Sequence, residues 1–124
     1  MRLLLDTHAL LWWLADEELT PDARARIADP ANEVSVSAAS AWEISMKKVL
    51  GKLRVPDDLE QQILASEFMP LPIAISHATT AGQLPRHHED PFDRMLIAQA
   101  QLEQMTIVTR DKRFGDYDVA VIPA

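Results

Sequence analysis

The sequence predicts an α/β domain in which a short parallel sheet is covered by helices on both faces. Two observations carry this. Short apolar runs with strand character, Leu3-Leu4-Leu5, Val34-Ser35-Val36 and Ile107-Val108-Thr109, recur along the chain, and segments with helical punctuation lie between them. Strands that alternate with helices form parallel sheets, because a crossover helix must return the chain to the same end. At 124 residues the chain is read as one domain, residues 1–124, and an apolar content of 48% is enough for a core.

Arg2–Leu5 reads as a short buried strand and Thr7–Ala15 as a helix that Asp6 or Thr7 can cap. Thr20-Pro21 is a cap followed by proline at the first helical position, opening a helix to Ala28 that Asp29-Pro30 ends. Glu33–Ser37 alternates as a strand. Ser40–Leu50 reads as a helix closed by Gly51, and Asp57–Glu67 as another, entered through Pro56. Met69–Ile73 contains two prolines and is a weak, short strand. Ser76–Gln83 is a short helix, Pro85–Asp90 a polar loop, and Pro91–Gln104 the best-marked helix. Thr106–Thr109 and Val119–Ile122 are the closing strands.

Composition narrows function. There is no cysteine, which removes disulfides and thiolate zinc sites and fits a reducing, cytoplasmic setting. The apolar start is broken by Asp6 and His8 and closed by Asp16-Glu17-Glu18, so it is not read as a signal peptide, and no stretch is long enough to span a bilayer. A net charge of −7 argues against tight, non-specific nucleic-acid binding, leaves room for a nuclease whose catalytic acids add to the excess, and suits a basic partner.

Four acids stand at element junctions: Asp6 after the first strand, Glu43 after the second, Asp93 opening the best helix, and Asp111 after Ile107–Arg110. Each has a structural reading. Asp6 is cap-like, Ser40-Ala41-Trp42-Glu43 matches a capping box, Asp93 follows Asp90-Pro91-Phe92, and Asp111 suits a solvated turn. Four such residues at successive junctions of one α/β chain point elsewhere. Ligand sites in open α/β sheets lie beyond the carboxyl ends of the strands. Carboxylates gathered there repel one another unless a cation joins them, and an oxygen donor set suits Mg2+ or Mn2+. The chemistry is phosphodiester hydrolysis through a carboxylate-bound metal.

The quoted residues also resemble a known family. Leu4-Leu5-Asp6-Thr7-His8-Ala9-Leu10-Leu11-Trp12 is similar to the opening of PIN-domain toxins of the VapC family. So are Ser40-Ala41-Trp42-Glu43-Ile44-Ser45-Met46-Lys47, the stretch His87–Ala100, and Ile107–Asp111 followed by Phe114 and Tyr117. The resemblance runs along essentially the whole chain. It implies a PIN-like three-layer α/β/α sandwich and a Mg2+-dependent endoribonuclease, the toxin of a type II toxin–antitoxin pair. It implies Asp6, Glu43, Asp93 and Asp111 as catalytic acids, with Asp6 and Asp93 as metal ligands and Glu43 and Asp111 as further ones. It also implies an RNA substrate, a cognate antitoxin that reaches the site with an arginine, and a homodimer. Asp90 is read as the helix cap.

Other residues weigh less. Arg110, Lys112 and Arg113 adjoin Asp111 and are candidate RNA contacts. Trp12 and Trp13 are read as packing groups. His8, His77, His87 and His88 are not taken as metal ligands; His87 and His88 are adjacent, do not share a face in regular structure, and fall in a loop. A Mg2+-binding receiver module would need paired acids after the first strand, and a phosphatase with a nucleophilic aspartate would need an acid where His8 stands. A non-catalytic protein-binding module of the same fold is the remaining alternative.

Overall fold

A computed structural model describes residues 1–124. β1 (Arg2–Leu5) leads into α1 (Thr7–Ala15) and α2 (Pro21–Ala28), then β2 (Glu33–Ser37), α3 (Ala38–Val49), α4 (Leu59–Ala65) and β3 (Met69–Leu71). α5 (Ile75–Gln83) and α6 (Pro91–Glu103) precede β4 (Thr106–Thr109), a 3-10 turn (Lys112–Asp116) and β5 (Ala120–Pro123).

The five strands form one parallel sheet in the order β3-β2-β1-β4-β5. β1 is central: Leu3 pairs with Val34 on one side and Thr106 on the other, and Leu5 with Val36 and Val108. Side chains alternate across a strand, and β1 uses this to feed both halves of the core. Leu3 and Leu5 pack with Leu10, Val34, Val36, Ile44 and Val108 under α1, α2 and α4. Leu4 packs on the opposite face with Leu96, Ile97, Ile107 and Phe114 under α5 and α6. A strand buried on both faces reads as an unbroken apolar run, which is why Leu3-Leu4-Leu5 has no polar alternation.

Chain order runs outward from β1 through β2 to β3, then crosses to β4 and β5 on the other side. The switch point is therefore between β1 and β4, with the carboxyl ends of both strands facing one crevice.

The structure departs from the expectation at several element ends and in one added turn; the main departures have physical reasons. α3 begins at Ala38, two residues earlier than the Ser40 start, because the Ser37 hydroxyl accepts the Ala39 N–H at 3.0 Å. Gly51 closes this helix with φ 72° in the left-handed region. α4 has only seven residues, since its N-cap Asp58 makes no side-chain cap bond. The 3-10 turn was not foreseen; it is capped by Asp111, whose carboxylate accepts the Arg113 N–H. No helix is long and apolar enough to cross a membrane.

Candidate functional site

The crevice at the switch point collects the acids. Asp6 ends β1 and is buried. Its Oδ1 caps α1 by accepting the Ala9 N–H at 2.8 Å, while Oδ2 accepts the Thr109 hydroxyl at 2.5 Å from the end of β4. Cap and site are thus the same carboxyl. Burial raises its pKa and the charge of Asp111 adds to this, with the Thr109 and Ala9 hydrogen bonds opposing.

Glu43 does not take part in a capping box. Ser40 lies inside α3, so Glu43 is one turn beyond the helix start, buried, and turned toward β1. Its Oε1 accepts the Thr7 hydroxyl at 2.6 Å and its Oε2 pairs with Lys47 Nζ at 2.5 Å. That bond holds the Lys47 ammonium charged to higher pH than usual, and the charges of Asp90 and Asp93 act in the same direction.

α6 is capped by Asp90, whose Oδ1 accepts the Phe92 and Asp93 N–H groups at 2.9 and 3.1 Å. Pro91 occupies the first helical position, where its missing N–H costs nothing. Asp93 is therefore free of capping. Its carboxyl is pushed up to about 8, first by burial and then by the negative charges of Asp90, Glu43, Asp6 and Asp111. The negative charges of all four other acids thus bear on this one carboxyl.

Asp111 is the exception. Its carboxylate accepts from Arg113 Nε, Nη2 and backbone N–H at 3.1, 2.8 and 2.9 Å, and the Arg113 side chain holds it down at about 2. It stays an anion beside a protonated neighbour. This divergence of two carboxyls in one site is the usual mark of an acid–base centre.

One site residue escaped the sequence reading. His88 was set aside as a loop histidine; it is in a loop, yet its ring is almost completely buried. Nε2 lies 2.8 Å from Asp93 Oδ2 and 3.1 Å from Asp111 Oδ2. Adjacency to His87 argued only that the two rings diverge, and they do: His87 packs edge-on against Tyr117 while His88 turns inward. Thr7, Ser40 and Thr109 also line the site and were not singled out. Thr109 had a readable signal, a hydroxyl two residues before Asp111 at a strand end.

The three basic candidates separate. The Arg110 guanidinium lies 4.1 Å over the Trp12 ring, with Nε on the Ala124 carbonyl at 3.1 Å and Nη2 on the Glu18 carbonyl, so it ties the chain end to α1. Arg113 lies against Asp111 at the rim and Lys112 is exposed beside it. Ile63 is buried and Trp12, Leu53 and Leu59 are half-buried. Exposed apolar side chains include Trp42, Met46 and Val49 of α3, the following Leu50, and Ile75 at the start of α5.

Donor atoms of His88, Asp93 and Asp111 lie within 4.8 Å of one another, and the charges of Asp6, at the end of β1, and Glu43, on α3, act on Asp93. An oxygen-rich group in which burial and like-charge repulsion together raise one carboxyl fits a hard divalent cation, which would offset both.

The comparisons with known proteins agree with this geometry. Residues 3–120 match the PIN domain family. The chain is 32% identical over 119 residues to Ribonuclease VapC22 of Mycobacterium tuberculosis, covering 92% of this chain and 90% of that protein. Among solved structures, VapBC2 of Rickettsia felis bound to a promoter DNA fragment superposes with a TM-score of 0.72 at 14% identity, over 98% of each chain. FitAcB of Neisseria gonorrhoeae gives 0.68 at 23% identity, over 98% of this chain and 96% of that one. The last two establish the three-layer α/β/α fold; the near-complete family match and the mycobacterial relative establish descent, and the chain belongs to the PIN-domain family as a member of its VapC group.

Proposed function

We propose that this protein is a Mg2+-dependent endoribonuclease, the toxin component of a type II toxin–antitoxin system, working in the cytoplasm. The observation that carries the reading is the gathering of Asp6, Glu43, Asp93 and Asp111 at the β1/β4 switch point, with the Asp93 carboxyl pushed up to about 8 by burial first and by the neighbouring negative charges second. The mycobacterial relative bears the name of a ribonuclease, and the R. felis neighbour is described as a VapBC pair on its promoter DNA, which supports the reading.

Asp6 and Asp93 would hold the metal, Mg2+ or Mn2+, with Glu43 and Asp111 as further ligands or as orienters of water. When bound, the cation supplies a water of lowered pKa and charge neutralisation at the phosphate. The chain's own groups do the rest. Asp93 gives up its proton as the site fills. Thr109 and the Ala9 N–H fix both oxygens of Asp6, and Thr7 fixes Glu43. Lys47, Lys112 and Arg113 face the RNA phosphates at the rim, whereas Arg110 serves the fold. The exposed face of α3 and Ile75 are the surfaces for a second copy and for an antitoxin with a basic segment that reaches the acids.

The test is cleavage of a mixed RNA pool by purified protein, with Asp6→Asn and Asp93→Asn as variants. Each single variant is expected to lose activity by orders of magnitude, and the double variant to be little worse, because the acids act as one unit. Wild-type protein that binds a cognate antitoxin yet cleaves no RNA with Mg2+ or Mn2+ present would favour the non-catalytic binding module.

A further inference from the structure

His88 is held from every side. Its backbone N–H donates to Tyr117 Oη at 2.8 Å, and that hydroxyl donates to the Pro85 carbonyl at 2.6 Å. Its carbonyl accepts from Arg94 Nη1 at 3.1 Å. The same guanidinium bonds the carbonyls of Pro85, Ala81 and Leu84, which ties the loop to the end of α5. The ring stands edge-on to Phe114 with centroids 5.8 Å apart. Nδ1 accepts the Asp90 N–H at 3.2 Å. A ring nitrogen that accepts a backbone N–H carries no proton, so the ring hydrogen sits on Nε2. Nε2 in turn has two acceptors, Asp93 Oδ2 at 2.8 Å and Asp111 Oδ2 at 3.1 Å.

We propose that His88 is a positioning residue: its Nε2–H links Asp93 of α6 to Asp111 of the β4 end and sets the spacing of the two carboxyls before any cation arrives. The loop Pro85–Glu89 is braced by Arg94 and Tyr117 to hold that one hydrogen in place. A ring that carries its hydrogen on Nε2 has no lone pair there, so His88 acts through the two acids and not as a ligand itself. Hydrogen bonds of this kind to ligating carboxylates fix their orientation, and losing one commonly costs 10- to 100-fold in metal affinity. The role rests on the carboxylate-metal reading of the site.

Two variants separate the ring's two nitrogens. In His88→Asn the amide oxygen can replace Nδ1 as acceptor of the Asp90 N–H, but nothing reaches the Nε2 position. In His88→Gln the amide NH2 reaches that position. Mn2+ is titrated into each folded protein and followed by electron paramagnetic resonance, with thermal melting as the control for folding. Wild type and His88→Gln are expected to bind Mn2+ similarly, and His88→Asn about 10- to 100-fold more weakly. Nitrogen-15 spectra of the metal-free ring are expected to report the Nε2–H tautomer. Equal Mn2+ affinity in His88→Asn and wild type, or an Nδ1–H tautomer, overturns the positioning role alone. Equal weakening in both variants overturns it in favour of direct ligation by the ring. A wild-type protein that binds no Mn2+ overturns both this role and the metal-dependent function.

Discussion

Replacing Asp93 by Asn should stabilise the metal-free protein while abolishing its chemistry. Asp93 stands at about 8 in the fold against an ordinary 3.8. With the folded value above the unfolded one, the unfolded chain releases its proton first as pH rises, so stability falls between about pH 4 and pH 8 and is then flat. At about 1.4 kcal/mol per pH unit the full cost is at most about 6 kcal/mol. The side chain is 20% exposed, and water and counter-ions reach it; roughly 2–3 kcal/mol is the expected net penalty at effective interior screening. For a domain of this size that corresponds to about 10 °C in Tm. Asn keeps an oxygen that can accept the His88 Nε2–H. The assay is thermal melting of wild type and Asp93→Asn in EDTA at pH 5 and pH 9. The variant should melt about 10 °C above wild type at pH 9, exceed it by less at pH 5, where folded wild-type Asp93 keeps its proton and only the unfolded chain has released it, and gain less from added Mg2+. A variant that melts below wild type at both pH values would show that Asp93 is a structural residue and that the acids are not mutually strained.

Four further outcomes follow from the site and the contacts around it. RNA cleavage should vanish on exhaustive chelation and return with Mg2+ or Mn2+, read on a gel with each metal restored singly; full activity in EDTA would contradict the carboxylate-metal chemistry. Arg113→Ala removes the main cause that holds Asp111 at about 2, so its carboxyl should titrate higher by carbon-13 NMR, and no movement would mean the pair does not persist in solution. Arg110→Ala should lower Tm, because the Glu18 and Ala124 carbonyls and the Trp12 face lose their partner. Lys112→Ala should leave Tm unchanged and reduce the salt dependence of RNA binding by about 0.7 in log–log slope, whereas the reverse assignment would exchange the two basic roles.

The fold was legible because its signals are local. Leu3-Leu4-Leu5 announces a doubly buried strand, Thr20-Pro21 and Asp90-Pro91 announce helix starts, and β1, α1, α2, β2 and β4 have the expected bounds. Asp6 and Asp111 were legible because strand ends deliver them, and Asp93 because Asp90-Pro91 marks the start of its helix. What failed was competition between equally local signals. Ser37 and Ser40 are both good caps, and the one at the strand end won, which moved Glu43 from a cap partner into the crevice. His88 was invisible for a different reason. Its role comes from Arg94, Tyr117 and Phe114, which bend an irregular loop inward, and no periodicity records such a bend.

The hydrogen bond from Thr109 to Asp6 joins residues 103 positions apart and closes the central pair of strands. Its meaning is clearest during synthesis. Asp6 and Glu43 leave the ribosome early, after β1 and β2, which can already pair. Asp93 arrives much later, and Asp111 and Thr109 later still, so a nascent chain carries two of the four acids and an unpaired edge on β1. Parallel pairing at such separation is slow to form because the intervening chain must first be ordered. The acid site is therefore incomplete until the last strands dock, and on the proposed ribonuclease reading the chain has no chemistry before that point.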